Sequence, residues 1–143
     1  MIQVAILGFG VVGGGVAKVL EENAALLRAR FQTDVSLKYI LDIRDFTGHA
    51  MAQRIVRDFS TIEKDPEISV VFEAMGGVHP ALEYSLAAIR AHKSVITSNK
   101  ELVAHHGQLL LREAATAGVR YLFEASVGGG IPPESEAADV AQA

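Results

Sequence analysis

The feature that most constrains this chain is a glycine turn set directly after an apolar strand. Ile2-Gln3-Val4-Ala5-Ile6-Leu7 runs into Gly8-Phe9-Gly10-Val11-Val12-Gly13, and a helical stretch, Val16-Ala17-Lys18-Val19-Leu20, follows. Strand, tight glycine turn and helix in that order form the fingerprint of a dinucleotide-binding βαβ unit. In such a unit the first glycine, here Gly8, permits the sharp exit from the strand. The second, Gly10, lets backbone approach a pyrophosphate, and the third, Gly13, lets the helix pack close to the sheet. A diphosphate then rests on unpaired N–H groups at the helix N-terminus, where the helix dipole also favours an anion. The plain alternative is a strand-to-helix turn made glycine-rich for packing alone.

The rest of the chain continues the alternation. A helix is expected from about Val12 to Ala29, because Val12, Val16, Val19, Leu20, Leu26 and Leu27 fall near helical spacing. Val35 to Ile43 reads as the second strand, ending in Asp42-Ile43-Arg44-Asp45. A polar loop follows from Phe46 to Ser60, with one helical turn around Ala50 to Ile55. Asp65-Pro66-Glu67 breaks the chain before a third strand, Val70-Val71-Phe72-Glu73. Pro80 suits a helix first turn, and that helix runs to about His92 with Leu82, Leu86 and Ile89 on one face. Ser94-Val95-Ile96-Thr97 is the fourth strand. A helix near Leu102 to Ala117 closes on Gly118, and Val119 to Glu124 is the fifth strand.

Short strands alternating with helices predict an α/β fold: a Rossmann-type, doubly wound parallel sheet with right-handed crossovers and helices on both faces. Ligands of such sheets bind at the C-terminal strand ends, near the switch in strand order. Those ends are Gly8, Asp42 to Asp45, Glu73 to Gly77, Thr97 to Lys100, and Glu124 onward, so every suggestive motif converges on one edge.

Composition narrows the classes. The 143 residues, half of them hydrophobic, suit one domain with its own core. A net charge of −4 with interspersed signs gives no basic stripe for nucleic acid and no basic amphipathic helix for a membrane surface. Apolar runs are only strand-length, and the start of the chain carries no charged n-region or cleavage site. Without cysteine there is no disulfide and no thiolate metal site. These readings predict a cytoplasmic soluble protein with neither nucleic-acid nor membrane partners. His105 and His106 point to different helix faces, and His49, His79 and His92 stand isolated in the sequence, so no metalloenzyme centre is expected.

The strand ends carry the chemistry. After the second strand, an acid would accept from the ribose 2′-hydroxyl of NAD, whereas an arginine would pair with the 2′-phosphate of NADP. Asp42, Arg44 and Asp45 offer both, and Asp42 and Arg44 could instead pair with each other, so the choice of cofactor stays open. Glu73-Ala74-Met75-Gly76-Gly77 ends in small residues that admit a flat ring or ribose, or that meet a need for positive φ. Thr97-Ser98-Asn99-Lys100 sets three hydrogen-bonding side chains and a cation at the fourth strand end. Lys100 there could hold a substrate carboxylate or transfer a proton, or be solvated surface. The three glycines Gly128-Gly129-Gly130 could coordinate a small cation, cradle a carboxylate, or form a hinge.

Together the glycine turn, Glu73-Ala74-Met75-Gly76-Gly77, Thr97-Ser98-Asn99-Lys100 and Phe123-Glu124-Ala125-Ser126-Val127-Gly128-Gly129-Gly130-Ile131-Pro132 resemble homoserine dehydrogenase, in its cofactor-binding half. The last two motifs, in this order and spacing, are the specific ones. The resemblance implies a dehydrogenase that interconverts homoserine and aspartate 4-semialdehyde with NAD or NADP, on the way to threonine, methionine and isoleucine. By the same resemblance Lys100 is one of two active-site lysines, beside the nicotinamide and the substrate. Gly8, Phe9, Gly10, Val11, Val12 and Gly13 take the dinucleotide, while Gly76 and Gly77 border the nicotinamide ribose. Thr97, Ser98 and Asn99 line the nicotinamide, and Arg44 stands where the family meets a 2′-phosphate. Carbonyls matching those of Glu124, Val127, Gly129 and Ile131 hold a monovalent cation such as Na+ in the family.

The resemblance also sets boundaries. Residues 1–132 read as the dinucleotide-binding domain and 133–143 as a tail, either the fold's final helix joined directly or an arbitrary stop. The family continues after the position of Pro132 into a substrate domain that carries the second lysine and much of a homodimer interface. Lacking that domain, the chain as given is expected to bind dinucleotide weakly and turn over little. Two other functions compete. One is another small-acid dehydrogenase, against which the Glu124-to-Pro132 segment argues; the other is a non-catalytic NAD(H)-sensing module, which needs no substrate domain.

Overall fold

The computed structural model describes residues 1–124. Its central strand is β1 (Ile2–Leu7), whose last four residues are buried. A strand covered on both faces by crossover helices is apolar rather than alternating over its buried stretch, and Val4 to Leu7 of β1 show this pattern. It pairs in parallel on one side with β2 (Val35–Leu41) and on the other with β4 (Ile68–Glu73). The sheet is completed by β3 (Ile55–Val56) beyond β2, then by β5 (Ser94–Thr97) and β6 (Tyr121–Phe123) beyond β4. The order is β3-β2-β1-β4-β5-β6 and every pairing is parallel, which is the doubly wound arrangement expected.

Alternation along β1 divides the core. Val4 and Ile6 face Val16 and Ala17 of α1 (Val11–Glu22), together with Leu37, Ile40, Val70 and Phe72. Ala5 and Leu7 face the other layer, built from the short α3 (Ser60–Glu63), α4 (Ala81–Arg90) and α5 (Lys100–Ala117). Ile62, Leu82, Ile89, Leu102 and Leu110 are its main apolar contributors. At the N-terminal ends of the strands the buried Lys93 donates to the carbonyls of Asp65 (2.6 Å) and Ile68 (3.0 Å), and burial pushes its pKa down. Among the described residues no helix is long and apolar enough to cross a membrane.

Four expectations are corrected. The helix expected over Val12 to Ala29 is two helices, α1 and α2 (Ala24–Phe31), parted at Asn23. Asn23 leaves the helical backbone (φ −115°, ψ 25°), and its side-chain amide donates at 3.2 Å to the same Val19 carbonyl that its own N–H reaches at 3.0 Å. Beyond the break Leu27 is buried at 4% exposure, while Leu26 is 51% exposed and no part of the core. The second strand stops at Leu41, two residues early, because Asp42 turns toward the glycine turn and leaves Ile43 79% exposed. The stretch read as a polar loop has its expected helical turn, a 3-10 turn over Ala52–Arg54, but it also contains strand β3, which pairs with Ile40 and Leu41. The strand expected fifth is therefore sixth, and it spans three residues only. Gly118 closes α5 with φ of 75°, as its position predicts.

Candidate functional site

Sheet order reverses between β1 and β4, and both strands end at the same level. Leu7 is paired with Glu73, Glu73 with Thr97, and Thr97 with Phe123, so the strand ends form one row. Among the described residues, those singled out at the strand ends, from Gly8 to Glu124, are brought to this edge.

Next to β1 the edge is shaped by backbone. A Cβ on Gly13 would lie 1.8 Å from the Gly8 carbonyl oxygen, so only glycine lets α1 seat against the strand exit. A Cβ on Gly8 would lie 2.9 Å from the Ala74 carbonyl, which holds the neighbouring strand end equally close. Gly10 instead faces open space, with nothing within 4 Å of its absent side chain. It is the N-cap of α1, no side chain caps that end, and no acid occupies its first turn. Bare amides, a positive dipole end and room beside Gly10 make a cradle that fits a pyrophosphate. Phe9 tucks into the core edge-to-face with Phe46 and His49, at 5.0 and 5.1 Å between ring centres, while Val11 is exposed and Val12 half-buried.

Beyond β2, Asp42 and Arg44 are joined. The Phe9 N–H donates to Asp42 Oδ2 at 2.9 Å, as does the Arg44 side-chain NH2 at 2.8 Å. Oδ1 accepts from the Arg44 backbone N–H at 2.9 Å and its Nε at 3.0 Å. An ionised carboxylate offers about four lone-pair sites, and here four donors fill them. The guanidinium and the two N–H bonds hold the Asp42 carboxyl well below the usual carboxylate range, against the opposing effect of burial. The Arg44 guanidinium is largely exposed and lies over the Phe46 ring, 5.3 Å from its centre. Arg57, which sequence reasoning missed, lies beside it. The two arginines share the wall of a cleft of about 440 Å³, whose other walls include Gly8, Gly10, Asp42 and Met75. Both also line a smaller hollow of about 190 Å³ with Asp45 and Thr47. The two-residue strand β3 brings Arg57 here, since the Val56 carbonyl accepts from the Asp42 N–H at 3.0 Å.

On the β4–β5 side the edge is shaped by side chains. Glu73, 1% exposed, accepts from the Thr97 hydroxyl through Oε1 at 2.7 Å and from the Met75 N–H through Oε2 at 2.8 Å. Asn99 is the N-cap of α5: its Oδ1 accepts from the Leu102 N–H at 3.0 Å. Its amide donates to the Gly77 carbonyl at 2.6 Å and lies 3.5 Å from Glu73 Oε2. Gly76 and Gly77 have φ of 78° and 73°, so positive φ is a requirement of this turn. Space above both glycines is open. Ser98 is half-buried and its N–H points to the Glu73 carbonyl at 3.4 Å. Lys100, the first residue of α5, is exposed beside this row. Beneath it the Tyr121 phenol is buried, and burial together with the Glu73 charge pushes its pKa up.

The remaining expectations are mixed. Glu124 follows β6 with its N–H on the Thr97 carbonyl at 2.9 Å. Val127, Gly129 and Ile131, the other expected carbonyl ligands of a cation, lie outside the described residues, as does the 133–143 tail. Three histidines that read as isolated have partners: His79 pairs with Glu83 at 2.7 Å, His49 Nδ1 accepts from the Met51 N–H, and His92 Nδ1 meets the Ala117 carbonyl. Among the described residues no group of His, Cys, Asp or Glu could hold a metal ion.

A protein-family model described as "Homoserine dehydrogenase, NAD binding domain" matches residues 8–124. The chain is 36% identical over 135 residues to homoserine dehydrogenase of Bacillus subtilis, covering 92% of this chain and 31% of that protein. It is 40% identical over 135 residues to the Pseudomonas aeruginosa enzyme, covering 92% and 30%. The crystal structure of Staphylococcus aureus homoserine dehydrogenase at pH 8.5 superposes with a TM-score of 0.80 at 35% identity, covering 87% of this chain and 32% of that one. The chain thus spans about a third of the length of these relatives.

Proposed function

The chain belongs to the homoserine dehydrogenase family, as its NAD-binding domain, and from that premise we propose that it holds NADP in preference to NAD and presents the nicotinamide to homoserine. One observation carries the cofactor reading. All four acceptor positions of Asp42 are occupied, so a ribose 2′-hydroxyl finds no free carboxylate, whereas a 2′-phosphate finds two guanidinium groups, Arg44 and Arg57. In this reading the N–H groups after Gly10 take the pyrophosphate, and Gly76 and Gly77 admit the ribose and ring. Thr97, Ser98 and Asn99 border the nicotinamide, and Lys100 faces the substrate's carboxylate or its reacting oxygen.

When bound, the cofactor supplies hydride exchange between the nicotinamide and the homoserine carbon that bears the hydroxyl. What the chain's own residues contribute is placement, which governs much of the rate of a hydride transfer. The cation reading, through carbonyls of Glu124, Val127, Gly129 and Ile131, and a homodimer belong to the same proposal and rest on the resemblance alone.

Calorimetric titration of NADP, NAD and homoserine tests it. NADP is expected to bind at least about tenfold more tightly than NAD at moderate salt, from charge-assisted bonds of the 2′-phosphate. Arg57→Ala should remove most of that ratio by weakening NADP and not NAD. Equal affinities, or a ratio unmoved by Arg57→Ala, would sink the cofactor choice; dinucleotide bound tightly with no homoserine effect in any longer form of the protein would favour a sensor.

A further inference from the structure

We infer that Glu73 is a positioning residue: its buried carboxylate clamps the Met75–Gly77 turn to the N-terminus of α5, so that the Gly77 carbonyl and Lys100 keep one fixed spacing. The inference rests on the dinucleotide reading above and assigns a task to a side chain that does not itself face the ligand. Glu73 is 1% exposed, and none of the ion pairs among the described residues includes it. A buried carboxylate without a cation is expensive, and an apolar residue of the same size would serve packing better. Its hydrogen bonds show what it does instead. All of them go to the row that forms the ligand edge: the Met75 N–H that opens the glycine turn, the Thr97 hydroxyl that ends β5, and at longer range the Asn99 amide.

Asn99 is the link that carries this outward. Its amide holds the Gly77 carbonyl at 2.6 Å while its oxygen caps Leu102 of α5 at 3.0 Å, and its own N–H donates to the Thr97 hydroxyl oxygen at 3.0 Å. One side chain therefore joins the turn to the helix that begins with Lys100. Glu73 sits under both ends of that link and orients the hydroxyl that holds Asn99. A glutamine can keep the cluster joined with one bond reversed: its oxygen takes the Met75 N–H, its amide donates to the second lone pair of the Thr97 oxygen, and the Thr97 proton turns to the buried Tyr121 phenol oxygen beside it, which otherwise has no partner among the described residues. An alanine leaves the Met75 N–H and the Thr97 hydroxyl without this acceptor.

The test compares whichever of NAD+ or NADP+ the wild-type chain binds with the matching ADP-ribose or 2′-phospho-ADP-ribose, which lacks nicotinamide, by calorimetry. Glu73→Ala is expected to weaken the whole dinucleotide by at least about tenfold and the nicotinamide-free half by no more than about threefold, as the loss of oriented bonds at one end only. Glu73→Gln should return the dinucleotide to within about threefold of wild type, which separates positioning from charge. Asn99→Ser, which keeps a capping oxygen but loses the amide, should reproduce the alanine pattern. Both ligands weakened equally in Glu73→Ala, or neither, would overturn the inference, as would failure of Glu73→Gln to rescue. Wild-type chain that binds none of the four ligands would instead overturn the dinucleotide reading, and this inference with it.

Discussion

On the β1 side of the switch point the edge is made mostly by main chain, Gly13 against the Gly8 carbonyl and Gly8 against Ala74, with a buried Asp42 paired to an exposed Arg44 beside it. On the β4–β5 side it is made by buried side chains, with Glu73, Thr97 and Asn99 joined by hydrogen bonds. The difference teaches how each side responds to change. Main-chain contact tolerates no added atom, whereas a hydrogen-bonded cluster tolerates an isostere that keeps its donors and acceptors paired.

Breaking the first side should have the largest effect. Gly13→Ala forces a methyl to within 1.8 Å of a carbonyl and is expected to cost about 3 kcal/mol or more, read as a lowered Tm, with dinucleotide binding lost. Gly10→Val, where space is open, should leave Tm close to wild type and abolish binding alone. If Gly13→Ala folds and binds normally, main-chain contact is not what shapes this side. Next comes Thr97→Val, which keeps the shape and strands the Glu73 oxygen; urea unfolding should show a loss of about 1–3 kcal/mol.

A smaller effect is confined to acid. The Asp42 carboxyl lies below its ordinary value of 3.8 in the folded chain, so its contribution is complete above that pH and is lost as pH falls through the lower folded value. Stability of the wild type should therefore fall with acid below about pH 4, and Asp42→Asn should flatten that limb while changing little of its slope above pH 5. An unchanged acid limb would show that the pair is not what titrates. Smallest is Arg44→Ala, expected to cost under about 1 kcal/mol at neutral pH and less still in high salt, because the guanidinium is largely exposed.

Much of this was legible in the residues. The apolar period, the glycine turn after β1, Pro80 before α4 and Gly118 after α5 are local signals, and local signals place elements. Asn23 was the local signal not used: a residue that competes for backbone bonds stood within an otherwise helical pattern. The strand β3 carried no signal, since two residues have no period and Ile55 and Val56 are held only by pairing with Ile40 and Leu41. Arg57 was hidden for that reason. Glu73 stands in a motif that assigns it no task, because nothing in a sequence says that a carboxylate at a strand end is buried among Met75, Thr97 and Asn99.

By itself, the sequence determined the doubly wound parallel fold and the strand-end edge where its motifs gather, because strand and helix periods and glycine sterics act within a few residues of one another; the family came from the motifs, not from the periods. Tertiary structure decided what the sequence left open at Asp42, Arg44 and Glu73. Whether a carboxylate is free, paired or buried depends on donors brought from 33 residues away for Phe9 to Asp42, and 24 for Thr97 to Glu73, and only folding sets those distances.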